Sequence, residues 1–149
     1  MKKVIVGVLL CLALFPAKVY AAESVFPRTH EIQVNEFTYE EAQMLLQIGQ
    51  AEAGNQGPDG VWLVMSVIYN RRASDVFPNS IEEVIYQDNQ FYTKGMGATE
   101  VSVDCHEALA RIERGDVAPL IVAFEKKSSK SLDEYITPAF TYRDHTFYT

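Results

Sequence analysis

A chain of 149 residues with 13 Lys and Arg against 20 Asp and Glu carries a formal charge of −7, so it has no basic footprint for nucleic acid. A hydrophobic content of 48% in that length supports one domain with a real core and is short for two. With only Cys11 and Cys105, a disulfide-stapled scaffold is excluded.

In chain order, Met1 to Ala21 reads as a secretory signal. Lys2 and Lys3 form the basic start, Val4 to Phe15 the apolar stretch, and Val19-Tyr20-Ala21 a small-x-Ala-like cleavage site. The apolar run is too short to span a bilayer. Leu10, where a small residue normally precedes a lipid-modified cysteine, argues against a lipoprotein through Cys11. Cleavage after Ala21 leaves 128 residues, removes Lys2, Lys3 and Lys18, and takes the formal charge from −7 to −10. The expectation is a secreted protein with no stable membrane insertion after cleavage; an uncleaved anchor is the alternative. Cys105 is then alone, so packing must hold the fold. Residues 22–37, with scattered charges and Pro27, read as a leader or linker, and 38–149 as the folded domain.

Thr38-Tyr39-Glu40-Glu41 has the form of a capping box, which starts a helix just after Thr38 and lets it run to about Gly54. Ala42, Leu45, Leu46 and Ile48 make its apolar stripe. The seven-residue step from Leu45 to Glu52 falls only about 20° short of two turns, so Glu52 points inward with Leu45. It also lies in the last turn, where unpaired carbonyls and partial burial both disfavour the carboxylate. The predicted pKa lies above the ordinary glutamate value of about 4.3, which suits a proton donor. A Glu that swings to solvent at the helix end is the other reading of this segment.

Pro58 suits the start of a second helix carrying Val61, Val64, Met65 and Ile68, running to about Arg72. Ser80-Ile81-Glu82-Glu83 opens a short helix through Tyr86. Gln87 to Gly97, polar, aromatic and glycine-bearing, is predicted as a loop where a ligand groove can sit. Val101, Cys105, Ala108, Leu109 and Ile112 recur at helical spacing and predict a helix from Ser102 to Arg114, stopped by Gly115. Leu120–Phe124 and Thr141–Tyr148 are the strand candidates. The fold class is mainly α with a small antiparallel β-hairpin.

Cys105 is in phase with Leu109 and Ile112 and reads as a core cysteine, while His106 points about 100° away from it. His30, His106 and His145 lack metal-ligand spacing, so neither a metal nor another cofactor is expected. Glu40-Glu41 and Glu82-Glu83 are first-turn residues favoured by the helix dipole, and the same explanation covers Asp59. A retaining carboxylate pair needs a separation of about 5 Å and an inverting pair roughly 6.5–9.5 Å; with Asp59 committed to its helix, Glu52 works without a carboxylate nucleophile. Gln90-Phe91-Tyr92 puts an amide and two rings in a loop, the chemistry that binds sugar faces and acetamido groups, though Phe91 can equally anchor the loop. Asn70 can brace a loop by hydrogen bonds.

Five ordered pieces resemble the SleB-type cell wall hydrolases: Glu52-Ala53; Gly60 with Val64, Val67 and Asn70-Arg71; Phe77-Pro78-Asn79-Ser80 with Val84-Ile85-Tyr86; Gln90-Phe91; and His145-Thr146-Phe147-Tyr148. The resemblance covers nearly all of residues 48–148. It implies a lysozyme-like, lytic transglycosylase-like domain over 38–149, peptidoglycan glycan strands as substrate, and cleavage of the muramic acid to glucosamine β-1,4 bond. Glu52 is then the catalytic acid. Gln90, Phe91 and Tyr92 are expected in the substrate groove, with Asn70, His145 and Tyr148 as supports. A transglycosylase yields 1,6-anhydro products; a water-using muramidase and a non-catalytic wall-binding module are the rivals. The chain departs from the resembling pattern twice. Glu52-Ala53-Gly54-Asn55-Gln56 stands where Glu-Ala-Arg-Gly-Glu is common, and Arg143-Asp144-His145 stands where Gly-Asn-His is common. No wall-binding repeat is recognisable, so targeting is expected to rest on the groove or on partners, and the protein is expected to act as a monomer.

Overall fold

A computed structural model describes residues 37–129 and 131–149; the signal and leader expectations for residues 1–36 lie outside the described residues. The first helix, α1 (Tyr39–Ala53), opens on the expected reciprocal cap. Thr38 Oγ1 accepts the Glu41 N–H at 3.1 Å, and the Glu41 carboxylate accepts the Thr38 N–H at 3.0 Å. Pro58 sits in the first turn of α2 (Gly57–Arg72). Ser80 Oγ accepts the Glu83 N–H to start α3 (Ile81–Ile85). After a 3₁₀ turn at Thr93–Gly95 comes α4 (Val103–Glu113). Among the described residues no helix is long and apolar enough to cross a membrane.

α2 is the central element because it is apolar on two sides. Val61, Val64, Met65 and Ile68 pack with Leu45 and Ile48 of α1, Val84 and Ile85 of α3, and Cys105, Ala108 and Ile112 of α4. Leu63 and Val67 turn the opposite way, into a smaller cluster with Ala118, Ile121 and Phe147. A helix with apolar residues nearly all round must be covered on all sides, whereas its sequence pattern suggested one face. Each fully buried aliphatic side chain contributes roughly 1.5–3 kcal/mol, and these two clusters hold the fold together. Cys105 is a free, buried thiol within the larger cluster, as its phase predicts.

The sheet has strands β1 (Ala123–Lys126), β2 (Pro138–Tyr142) and β3 (His145–Tyr148) in the antiparallel order β1-β3-β2. The two expected strands meet as the antiparallel pair β1–β3, but the run Thr141–Tyr148 foreseen as one strand is broken at Arg143 and Asp144, where Arg143 has φ +46°, so its first residues belong to β2 and the sheet has three strands. The strand foreseen at Leu120–Phe124 begins only at Ala123. Leu120 has φ +69°, outside strand geometry. The carbonyls of Ala118 and Ile121 are taken by the Asn70 side-chain amide, each at 2.8 Å, and Ser66 Oγ accepts the Ala118 N–H at 3.0 Å. Backbone groups satisfied by helix side chains are lost to a ladder.

Beyond β1, Glu125 anchors the excursion to β2. Its carboxylate accepts from Ser131 N–H (3.0 Å), Ser131 Oγ (2.7 Å), Leu132 N–H (3.2 Å) and Tyr148 Oη (2.5 Å). Burial acts to raise this carboxyl, but the donated hydrogen bonds outweigh it and hold its pKa below the ordinary value. A depressed carboxyl contributes stability above the unfolded pKa of about 4.3, lost as pH falls through the lower folded value. Glu125→Gln is therefore expected to cost about 1–3 kcal/mol at pH 7. In urea melts the gap to wild type should close as pH drops below about 4; a gap as wide at pH 3 as at pH 7 would remove the charge-based account.

Candidate active site

Glu52 stands in the last turn of α1, half-buried, and its Oε1 accepts the backbone N–H of Tyr92. That bond joins the helix end to the loop that follows α3. The Thr93–Gly95 turn packs against α1, and the Tyr92 ring folds over Gly95: a methyl group there would lie 2.6 Å from Tyr92 Cδ1 and 3.1 Å from Ala51 Cβ, so a side chain at this position would push the ring aside. Burial raises the Glu52 pKa above its ordinary value; the Tyr92 N–H and the positive charge of Lys126 pull the other way without cancelling it. The carboxyl is thus biased toward its protonated form, while the more distant positive charge of Lys126 favours the anion, a balance that can donate a proton and then tolerate the charge left behind.

The loop is held in turn by Arg71, 6% exposed at the end of α2. Arg71 Nη1 donates to Gln90 Oε1 at 3.0 Å, its Nε donates to the Val122 carbonyl at 2.6 Å, and its guanidinium lies 5.0 and 5.3 Å from the centres of the Phe77 and Phe91 rings. Gln90 Nε2 is buried with no hydrogen-bond partner among the described residues. Phe91 is half-buried, 6.1 Å from Phe124, which meets His145 edge-on at 5.2 Å. His145 is buried. Desolvation lowers its pKa, Asp144 opposes that and Lys126 adds to it, so the ring is predominantly neutral at pH 7. Tyr92 is 60% exposed.

The fold therefore brings Glu52, Gln90, Phe91 and Tyr92 together, with His145 behind them across Phe124. Two other candidates present no atom to a groove. Asn70, 5% exposed, spends its amide on the Ala118 and Ile121 carbonyls, and Tyr148 is fully buried with its hydroxyl on Glu125 and 2.9 Å from Asp133. Asp59 faces Arg111 at 2.8 Å, and that guanidinium also binds Asp116 at 2.7 Å and stacks 3.8 Å from the Trp62 ring centre. Asp59 thus serves an ion-pair network bracing α2 against α4. Arg71 and Lys126 were missed as site residues. An arginine closing an otherwise apolar helix is a signal that could have found the first; Lys126 has none, because its relevance comes from the strand register that pairs it with His145. The two departures from the resembling motif meet in space: Gln56 Nε2 donates to Asp144 Oδ2 at 3.1 Å.

The chain thus builds a helical domain round one central helix, with a small three-stranded antiparallel sheet at its side. The chain matches the Cell Wall Hydrolase family over residues 55–148, most of its length, and belongs to that family. The matched segment opens just past Glu52. Among solved structures, the catalytic domain of the germination-specific lytic transglycosylase SleB from Bacillus anthracis is similar at 19% identity and a TM-score of 0.67, covering 77% of this chain and 98% of that one. The catalytic domain of the Bacillus cereus SleB protein is similar at 16% identity and the same TM-score, covering 87% and 99%. At such identities the likeness shows the fold. Among curated proteins none matches by sequence.

Proposed function

We propose that this protein is an exported lytic transglycosylase that cleaves the β-1,4 bond between N-acetylmuramic acid and N-acetylglucosamine, with Glu52 as acid and then base. The supporting observation is a single carboxyl group kept toward its neutral form by burial at a helix end, bonded to one backbone N–H and, among the described residues, to no second carboxylate. Glu52 gives its proton to the glycosidic oxygen as the bond to the muramyl anomeric carbon breaks. The resulting carboxylate takes the proton of the muramyl C6 hydroxyl while that oxygen bonds to the anomeric carbon. A 1,6-anhydro ring forms and the acid is regenerated. Because the nucleophile belongs to the substrate, no second protein carboxylate is needed, and the intramolecular attack supplies the effective molarity.

The exposed Tyr92 ring fits a sugar face. Orphaned burial of the Gln90 amide donor costs on the order of 1–3 kcal/mol, which a sugar acetamido carbonyl reaching it would offset. Phe91 holds the loop's aromatic wall, and Asn70, His145 and Tyr148 support the groove from behind. A water-using muramidase with Asp59 positioning the water is disfavoured by the Arg111 ion pair that occupies Asp59. Digestion of purified peptidoglycan should release muropeptides with 1,6-anhydro ends, one water lighter than reducing ends by mass spectrometry. Reducing muramyl ends alone would replace the transglycosylase with the hydrolase, and no cleavage would leave a wall-binding module.

A further inference from the structure

The turn between α1 and α2 is fastened to the β2–β3 turn by a polar latch. Gln56, 3% exposed, accepts the Asp144 N–H on Oε1 at 3.2 Å and donates from Nε2 to Asp144 Oδ2 at 3.1 Å and to Asn55 Oδ1 at 2.7 Å. The Asp144 carbonyl accepts the Lys127 N–H at 2.7 Å. Beside it, Arg143 adopts φ +46°, a left-handed conformation that costs a bulky residue on the order of 1–2 kcal/mol. Its guanidinium lies against Gly57, where a methyl group would sit 3.1 Å from Nη2; Gly57 itself has φ +74°, which excludes other residues comfortably filling the turn.

These contacts lie between the two parts of the candidate site. Gln56 follows Glu52 by about one helical turn, and its N–H donates to the Ala53 carbonyl at 2.8 Å. On the other side, Asp144 immediately precedes His145, which pairs with Lys126 across the sheet. We propose that Gln56 and Asp144 are a positioning pair for glycan cleavage, setting the separation between Glu52 and the Lys126–His145 end of the sheet by matching one amide to one carboxylate. The inference rests on the reading of Glu52 as the acid. Either residue can carry the carboxylate provided the other carries the amide, since the donor and acceptor then simply exchange sides. Two carboxylates at this separation repel and open the turn.

The test is a reciprocal swap in the full chain. Gln56→Glu alone should lower kcat per folded molecule at least tenfold on peptidoglycan, with KM within twofold of wild type. It should also speed hydrogen exchange of the Tyr92 amide, the donor to Glu52, at least tenfold by NMR. Asp144→Asn alone, which keeps an acceptor for Gln56 but loses the charge, should fall between wild type and Gln56→Glu in kcat. The double variant should return both readouts to within threefold of wild type. Wild-type kcat and Tyr92 protection in Gln56→Glu, or a double variant as impaired as the single, would overturn the pairing. If Gln56→Glu does not fold, recovery of folding in the double variant supports the pair and continued failure overturns it. A wild type that cleaves no glycan defeats the proposed function alone, and Tyr92 exchange still decides the latch.

Discussion

Glu52→Gln is expected to slow glycan cleavage by about 100-fold or more, the scale of a lost general acid, while leaving the domain folded. The substituted amide oxygen still accepts the Tyr92 N–H, so the loop keeps its contact with α1. Stability should move the other way. A carboxyl whose folded pKa is raised binds more protons in the native state than in the unfolded state, so wild-type stability falls as pH rises from the unfolded value of about 4.3 through the folded one. The neutral Gln does not carry that penalty. The variant should melt higher than wild type at pH 7 and lose the advantage below about pH 4. In wild type the same titration should turn off cleavage on the alkaline side, at a pH above that of an exposed glutamate. Initial rates on purified wall across pH, with melting curves of both proteins, check all three statements. Lysis by Glu52→Gln at the wild-type rate would take the chemistry away from this residue.

Arg71→Ala is expected to have the largest effect on stability and to weaken activity with it. The substitution removes two charge-assisted hydrogen bonds, worth roughly 1.5–3 kcal/mol each, and the contacts with the Phe77 and Phe91 rings, worth roughly another 0.5–2 kcal/mol. These values do not add simply, and a loss on the order of 3 kcal/mol is the sensible expectation, lowering Tm by roughly 10 °C. The Val122 carbonyl and Gln90 Oε1 lose their partner, so the Gln90–Tyr92 loop loosens and the N–H that meets Glu52 moves with it. Arg71→Lys keeps the charge but not the planar fork, and should recover only part of either quantity. Thermal melts and initial rates on the two variants measure this. Lysine performing as well as arginine would show that charge alone suffices there.

The helical part of this fold was legible because its signals are local. Thr38 and Glu41, Ser80 and Glu83, Pro58 and the apolar spacing of Cys105, Ala108, Leu109 and Ile112 each mark an element within a few residues. The inward direction of Glu52 was legible for the same reason, since it follows from helix geometry and Leu45 alone. What failed to show was non-local. The start of β1 is set by side chains of α2 that seize the carbonyls of the preceding loop. The second apolar face of α2 is needed only because a sheet, built from the other end of the chain, packs there. Gln56 and Asp144 are 88 residues apart, and neither carries any local mark of its partner.

The two apolar clusters on opposite sides of α2 have one further consequence. Four helices share the larger, the sheet and its approach share the smaller, and Glu52, the proposed proton donor, sits on the helical side within the electrostatic reach of Lys126 on the sheet side. Any breathing of one half against the other changes the electric field at the donor while both interiors stay dry. Softening at this seam, by heat or by a variant, would reach turnover well before it reached helicity, so loss of catalysis in this protein is an early gauge of loosening and global melting a late one.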